Sequence, residues 1–403
     1  MDDSTAAAVR YYAYQVTNAA GFYLPISLLF LQDKGFDLFF IGLSGAVFNF
    51  AFLTVEIPGG YIGDRFGRKA SLLLSSGLRG VAMAAYPFAE SAATFVVLWV
   101  LWASGQTFRS GSLSAWLYEH LDEHGAASTY TRIEGRGRTA RLLFSAGAAL
   151  AGGYLYTVDI RLPFLVNAAL ALVGIPLLFS FPDVDADRAD DHFSLSEAVE
   201  SLRVQAERPD IRWFVVFLAL FWGIFQVSRN FTQPAVDAVG IPVTGLGVLY
   251  AAFQLVSAGA ASLSGWLEEW VGLRTFFLLL PAVFALSYAS IAAVPLAVVP
   301  ALFLYRGSMN VIVPFRNKYL NDRIENVGRA TVLSGTQMVL TLGASIASLV
   351  GGVVADATGP VTVIYLVGVT VSLLAGVLWI ATSPVRPLSS GAESADDAVV
   401  ATD

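Results

Sequence analysis

The chain has 403 residues, of which 56% are hydrophobic and 14% charged, with a mean hydropathy of +0.65. Soluble domains carry about 25% charged residues, so this composition points to lipid as the solvent and leaves no length for a soluble catalytic domain. The formal net charge of −7 is concentrated in 183–191 and in a tail with Glu393, Asp396, Asp397 and Asp403, while the absence of cysteine excludes disulfides and thiolate metal sites.

About 20 apolar residues span a bilayer as a helix. Apolar runs fall at 9–31, 39–62, 70–89, 93–120, 136–157 and 160–181, then at 210–234, 243–266, 274–293, 295–321, 327–355 and 361–382. The expectation is an all-α membrane protein with twelve transmembrane helices in two pseudo-symmetric six-helix bundles. Residues 1–181 form the first half, 182–209 a cytoplasmic linker, 210–383 the second half and 384–403 a disordered acidic tail. The opening MDDSTAAAVR lacks the basic start and cleavage pattern of a signal peptide, so the first run is expected to be retained. Within the linker, 195–207 has the pattern of an amphipathic helix lying along a membrane surface.

Between the second and third runs stands Gly60-Tyr61-Ile62-Gly63-Asp64-Arg65-Phe66-Gly67-Arg68-Lys69. Its charges and glycines predict a tight loop at a membrane face. If that loop is cytoplasmic, Arg132, Arg136, Arg138, Arg188, Arg203, Arg208, Arg274, Arg316, Lys318, Arg323 and Arg329 share its side. The other side keeps Lys34 and Arg161. Cytoplasmic loops are enriched in Lys and Arg, which predicts a multi-pass protein of the cytoplasmic membrane with both termini inside.

The halves repeat each other. Residues 48–69 align without gaps on 253–274, matching Gly60 to Gly265, Asp64 to Glu269, Gly67 to Gly272 and Lys69 to Arg274. Phe108-Arg109 corresponds to Tyr305-Arg306, Gln15-Val16-Thr17 to Gln226-Val227-Ser228, and Gly152-Gly153 to Gly351-Gly352. Such a six-helix repeat is the mark of secondary transporters built from two related halves.

The segment from Gly60 to Lys69 closely resembles the loop between helices 2 and 3 of the major facilitator superfamily, and the resemblance runs from about residue 9 to 382. The stretches 109–119 and 329–334 are similar to an uncharacterised prokaryotic subgroup. The resemblance implies a monomeric transporter working by alternating access on a small-molecule substrate in the lipid bilayer, without nucleic acid or cofactor. It also implies a conformational gate made of Gly60, Asp64, Arg65, Gly67, Arg68 and Lys69, with Glu119 as the partner of Arg68. Drug–proton antiporters of that family carry an arginine early in helix 4 and a proline-containing glycine motif in helix 5. Here Leu101 and the proline-free 147–153 stand in those places, which argues against drug antiport.

Charges at membrane depth cost about 2.5–3.5 kcal/mol on insertion scales, so they are expected to face the bundle interior or water. In the resembling family the fourth and tenth helices line the cavity. Arg109 and Arg306 would then face each other as an anion clamp, supplemented by Arg229, or serve as interhelical structural pairs. Gln15, Asn18, Asn49, Gln226, Asn230, Gln254 and Asn310 are the uncharged candidates for the same cavity. Glu56, the main acid at depth, is either a proton-coupling residue or a structural partner of Arg109. Arg79 is expected to pack or snorkel away from the cavity. The tryptophans are expected mainly as interfacial anchors.

No phosphate-binding glycine loop is present, and His120, His124 and His192 are read as loop or helix-end residues without a metal-ligand set. The sequence therefore predicts a non-enzymatic, metal-free transporter. A metabolite or multidrug efflux pump of the same fold and a non-transporting membrane sensor stay open as alternatives.

Overall fold

The computed structural model describes residues 3–183, 209–323 and 329–386, with side chains for 5–56, 65–183, 211–323 and 332–386. The expected linker helix and acidic tail lie outside the described residues. Gly60 and Asp64 are described only as helical backbone.

The described residues hold thirteen α-helices, three short 3-10 turns and no strand. In chain order the helices are α1 Asp3–Thr17, α2 Ser27–Asp33, α3 Leu38–Phe66, α4 Arg68–Ala85, α5 Ala92–Glu123, α6 Tyr130–Val158 and α7 Leu162–Phe179. They continue with α8 Pro209–Ala238, α9 Val243–Val271, α10 Leu273–Ala293, α11 Val298–Asn321, α12 Arg329–Thr358 and α13 Pro360–Thr382. By length and hydropathy, eight segments among the described residues can cross a membrane: they lie in α3 and α7 to α13. Polar residues explain why much of the first half falls short. Arg68, Lys69 and Arg79 interrupt α4, and Arg132, Glu134, Arg136, Arg138 and Arg141 fill the start of α6.

Within the first half α4 packs on α5 and α7, α3 on α5, and α1 on α6. Within the second, α8 packs on α12 and α13, α10 on α13, and α9 on α11. The halves meet where α3 lies along α12 and α6 along α9. Each half has an aromatic core: Tyr86 stacks on Phe164 at 5.0 Å in the first, and Phe284 on Tyr288 at 5.7 Å in the second. Such ring pairs contribute about 0.5–1.5 kcal/mol beyond their buried area.

Two expectations about the chain path are corrected. The loop expected over 60–69 is helical up to Phe66, and the chain turns at Gly67 alone, with φ 88°. Arg65 in the last turn of α3 complements the negative end of the helix dipole, which favours continuing the helix through the charged residues. Only glycine adopts that φ readily, and its repeat mate Gly272 turns α9 into α10 in the same conformation, φ 74°. The first apolar run, expected as one helix, is instead broken over 18–26 between α1 and α2. Pro25 has no N–H to offer a helical ladder, and Gly21 packs against the backbone of α6 around Ser145.

Candidate functional site

A cavity of about 360 Å³ lies between the halves, lined by Tyr23, Leu24, Ser44, Phe48, Tyr86, Trp99, Trp102 and Gln106 from the first and by Arg229, Asn230, Gln233, Tyr250 and Arg306 from the second. No carboxylate is among its lining residues. On α8 the polar side chains at 226, 229, 230 and 233 recur at helical spacing, so one face of an otherwise apolar helix carries them all. Arg229 has a large accessible surface, and that surface opens into the cavity. The Arg306 guanidinium stands 5.0 Å from the Tyr305 ring, 5.1 Å from Phe253 and 5.6 Å from Tyr250. Aromatic faces stabilise a guanidinium by about 0.5–2 kcal/mol each, more as it is desolvated, without neutralising it.

Arg109 does not line this cavity. Its guanidinium donates through Nε and one terminal nitrogen to Gln106 Oε1 at 3.4 and 3.3 Å, and Gln106 in turn faces the cavity. The companion of Arg306 in the cavity is thus Arg229, in place of the expected Arg109. Behind Gln106, Arg109 lies within electrostatic reach of Arg79 and Arg141. Arg79 neither snorkels nor faces lipid: it is buried and donates to Asn18 Oδ1. Its aliphatic stem packs on Gly105, so a side chain there would collide with it. Among the described residues none of these five arginines has an acidic ion-pair partner. Nor does Glu56, whose side chain is exposed, so the expected Glu56–Arg109 pair is absent.

Of the uncharged candidates, Gln226 donates to Asn230 Oδ1 at 2.9 Å, at the cavity edge. Gln15 donates to the Tyr11 hydroxyl at 2.9 Å, and Asn18 to the Tyr14 carbonyl at 2.6 Å, both inside the first half. Asn310 donates to the Arg306 carbonyl at 2.8 Å. Asn49 is buried, with its Nδ2 lacking a partner, and Gln254 is half-buried on α9; neither lines the cavity. Sequence reasoning missed Gln106 and Gln233, and it read Trp99 and Trp102 as anchors. The helical stripe on α8 was the available signal for Gln233.

One end of the cavity is sealed. Gln233 Oε1 accepts from the Leu28 and Leu29 N–H groups at 2.7 and 3.1 Å, while its Nε2 donates to the Leu24 carbonyl at 2.7 Å. Nearby, Ser348 donates to the Gly42 carbonyl at 2.7 Å, binding α12 to α3. A Cβ on Gly42 would lie 2.5 Å from the Ser348 carbonyl oxygen, so glycine is what permits this approach. At the opposite end Arg68 donates to Glu119 at 3.1 Å, and Lys69 to the Phe181 carbonyl at 2.9 Å; these bonds stay within the first half. In the second half Lys318 pairs with Glu268.

Two helical halves enclosing a mostly apolar cavity that carries two arginines form the architecture of a membrane transporter. The model of the Major Facilitator Superfamily matches residues 11–336 and 230–401, and the chain belongs to that family, one of transporters and not of enzymes. The chain is similar to the uncharacterised MFS-type transporter YxaM of Bacillus subtilis (strain 168), with 27% identity over 239 residues, 58% of this chain and 59% of that protein's length. The match thus spans under two thirds of that relative. Among solved structures it resembles the nucleoside transporter NupG, with TM-score 0.79 and 12% identity over 96% of this chain and 99% of the other. It also resembles a bacterial homologue of the lysosomal transporter Spinster in an inward-facing, unoccupied conformation, with TM-score 0.72 and 14% identity over 95% and 96% of the two chains. Identities this low establish the fold alone.

Proposed function

We propose that the chain is a secondary active transporter of the cytoplasmic membrane that moves a small anionic solute by alternating access. Twelve spans are inferred by counting α1 and α2 as one broken crossing. The observation that carries the anionic reading is the presence of Arg229 and Arg306 in one cavity whose lining holds no acid. Two guanidinium groups in a low-dielectric site leave a charge that a carboxylate or phosphate offsets, and the planar fork suits either group. The two arginines stand on α8 and α11 while Tyr23, Trp102 and Gln106 stand on the opposite half. A ligand touching both walls links binding to their rocking, which is how a solute drives exchange between the two faces.

Bonds between the halves at the Gln233 and Gly42 end support a state closed on the outside, with access from the side of the Arg- and Lys-rich connections. On this reading both termini are cytoplasmic, the protein works as a monomer, and Gly60, Asp64, Arg65, Gly67, Arg68, Lys69 and Glu119 act as the inner gate. Glu56 is the proposed proton carrier, because it is an acid within the spanning part of α3 and has no ion-pair partner among the described residues.

The test is reconstitution in liposomes, with uptake and counterflow of labelled mono- and dicarboxylates, phosphate esters and neutral sugars. Saturable uptake of an anion, lost in Arg229→Gln and Arg306→Gln, is the expected result. Uptake restricted to neutral solutes overturns the anionic reading, and saturable binding without flux overturns transport itself.

A further inference from the structure

Helix α5 continues to Glu123, further than the apolar run on which it is built, and its last turn carries His120, Glu123 and His124. Spacings of three and four residues set side chains on one helix face. Each of the three offers a ligand atom, and these atoms all lie within 4.8 Å of one another. The sequence reading placed these histidines in loops or at helix ends; the helix in fact runs three residues past the apolar run that ends at 120.

We propose that His120, Glu123 and His124 form a binding site for a divalent transition-metal ion of the zinc type. Two imidazoles and one carboxylate are a zinc-type donor set, completed by water in the fourth position. Zinc bonds of about 2.0–2.2 Å bring donors to about 3.4 Å from each other, closer than the 4.8 Å bound observed, so modest rotation of the exposed Glu123 and His124 completes the site.

Further observations suit a cation here. His124 Nδ1 lies 2.8 Å from the His120 carbonyl oxygen. An N–H donated to that oxygen puts the proton on Nδ1 and directs the Nε2 lone pair outward, the tautomer used by metal-bound histidines whose second nitrogen is held by a backbone carbonyl. The His120 ring is oriented from the other side by parallel stacking on Trp116, with centroids 5.5 Å apart and planes 4° from parallel. The site also caps a helix C-terminus, where the backbone dipole is negative. Gly125, with φ 67°, closes the helix there, and the Ala126 N–H bonds the Leu121 carbonyl at 2.7 Å, so the turn that carries the ligands is fixed. Its neighbour Glu119 holds Arg68, which places the ion beside the joint between α5 and the α3–α4 turn.

The experiment is a titration of the purified full-length protein in detergent, freed of any polyhistidine tag, with Co²⁺ followed by its visible absorption and displaced by Zn²⁺. One equivalent is expected to bind, with His124→Gln and Glu123→Gln each weakening binding at least ten-fold, in line with losses of 10–100-fold for groups merely supporting a metal ligand. Both residues are exposed, so these variants should fold, and thermal unfolding of the metal-free proteins checks it. The exposed neighbour Asp122→Asn should bind as the native chain does. Absence of a bound equivalent overturns the site and leaves His124 as a helix cap only. Equal losses in Asp122→Asn and Glu123→Gln also overturn it, since they mark diffuse attraction to the helix end.

Discussion

Gln233 caps a helix that belongs to the other half of the molecule: its Oε1 accepts the Leu28 N–H of α2 at 2.7 Å. Helix α2 has only seven residues and receives no cap from its own N-terminal neighbour Ile26. Unsatisfied amides at membrane depth cost several kcal/mol each, so one glutamine side chain both completes a local helix and holds two bundles together.

Replacing Gln233 by Ala should open this seal. The chain contains no cysteine, so a single Ser44→Cys reporter in the cavity wall gives a clean labelling signal. A membrane-impermeant thiol reagent applied from outside should modify it faster in the Gln233→Ala background. Equal rates in both backgrounds would count against the seal.

Gly42→Leu should act on the same equilibrium by steric means. The added side chain meets the backbone of α12 around Ser348 and Gly352, where overpacking costs about 1–3 kcal/mol. External labelling of Ser44→Cys should rise and transport fall, while Gly259→Ala, with open space around it, should do neither.

Arg229→Gln and Arg306→Gln should each weaken binding of an anionic ligand by roughly ten- to a hundred-fold, the value of one charge-assisted hydrogen bond of about 1.5–3 kcal/mol. Arg109→Gln should weaken it less, because Gln106 stands between that guanidinium and the cavity. Thermal-shift titration with a stabilising anion measures all three, and an Arg109 effect larger than the other two would reverse the assignment.

The Arg68 and Glu119 side chains are 19% and 21% exposed, and an ion pair within reach of solvent is worth about 0.2–1 kcal/mol, so its reversal should change rate more than stability. Arg68→Glu and Glu119→Arg should each slow transport, and the double variant should recover part of the loss. No recovery separates the two residues functionally.

Glu56→Gln should abolish accumulation driven by a pH gradient and preserve downhill exchange, which needs no net proton movement. Accumulation that persists in the variant would remove Glu56 from coupling.

The helices were readable because a bilayer imposes one length and one polarity on each crossing, and the repeat was readable because matched polar residues survive among apolar ones. Gly67 and Gly272 illustrate this, aligned by sequence and alike in backbone conformation. Side-chain direction was not readable to the same degree. Arg109 and Arg306 occupy matching repeat positions, yet Gln106 holds one back while aromatic rings support the other within the cavity. That difference depends on neighbours one turn away and on other helices, which spacing alone does not reveal. The break at 18–26 was likewise hidden, because its apolar residues satisfy a span and its missing ladder is compensated by Gln233 from far along the chain.

That compensation also sets an order of events at the ribosome. Leu28 and Gln233 are separated by 205 positions, so the first crossing enters the membrane well before the residue that completes it has been synthesised. Until α8 arrives, the short segment of α2 must find substitute partners in water, lipid headgroups or the insertion machinery. The first half is therefore built to wait for the second, and its maturation is a late event, although its residues are translated first.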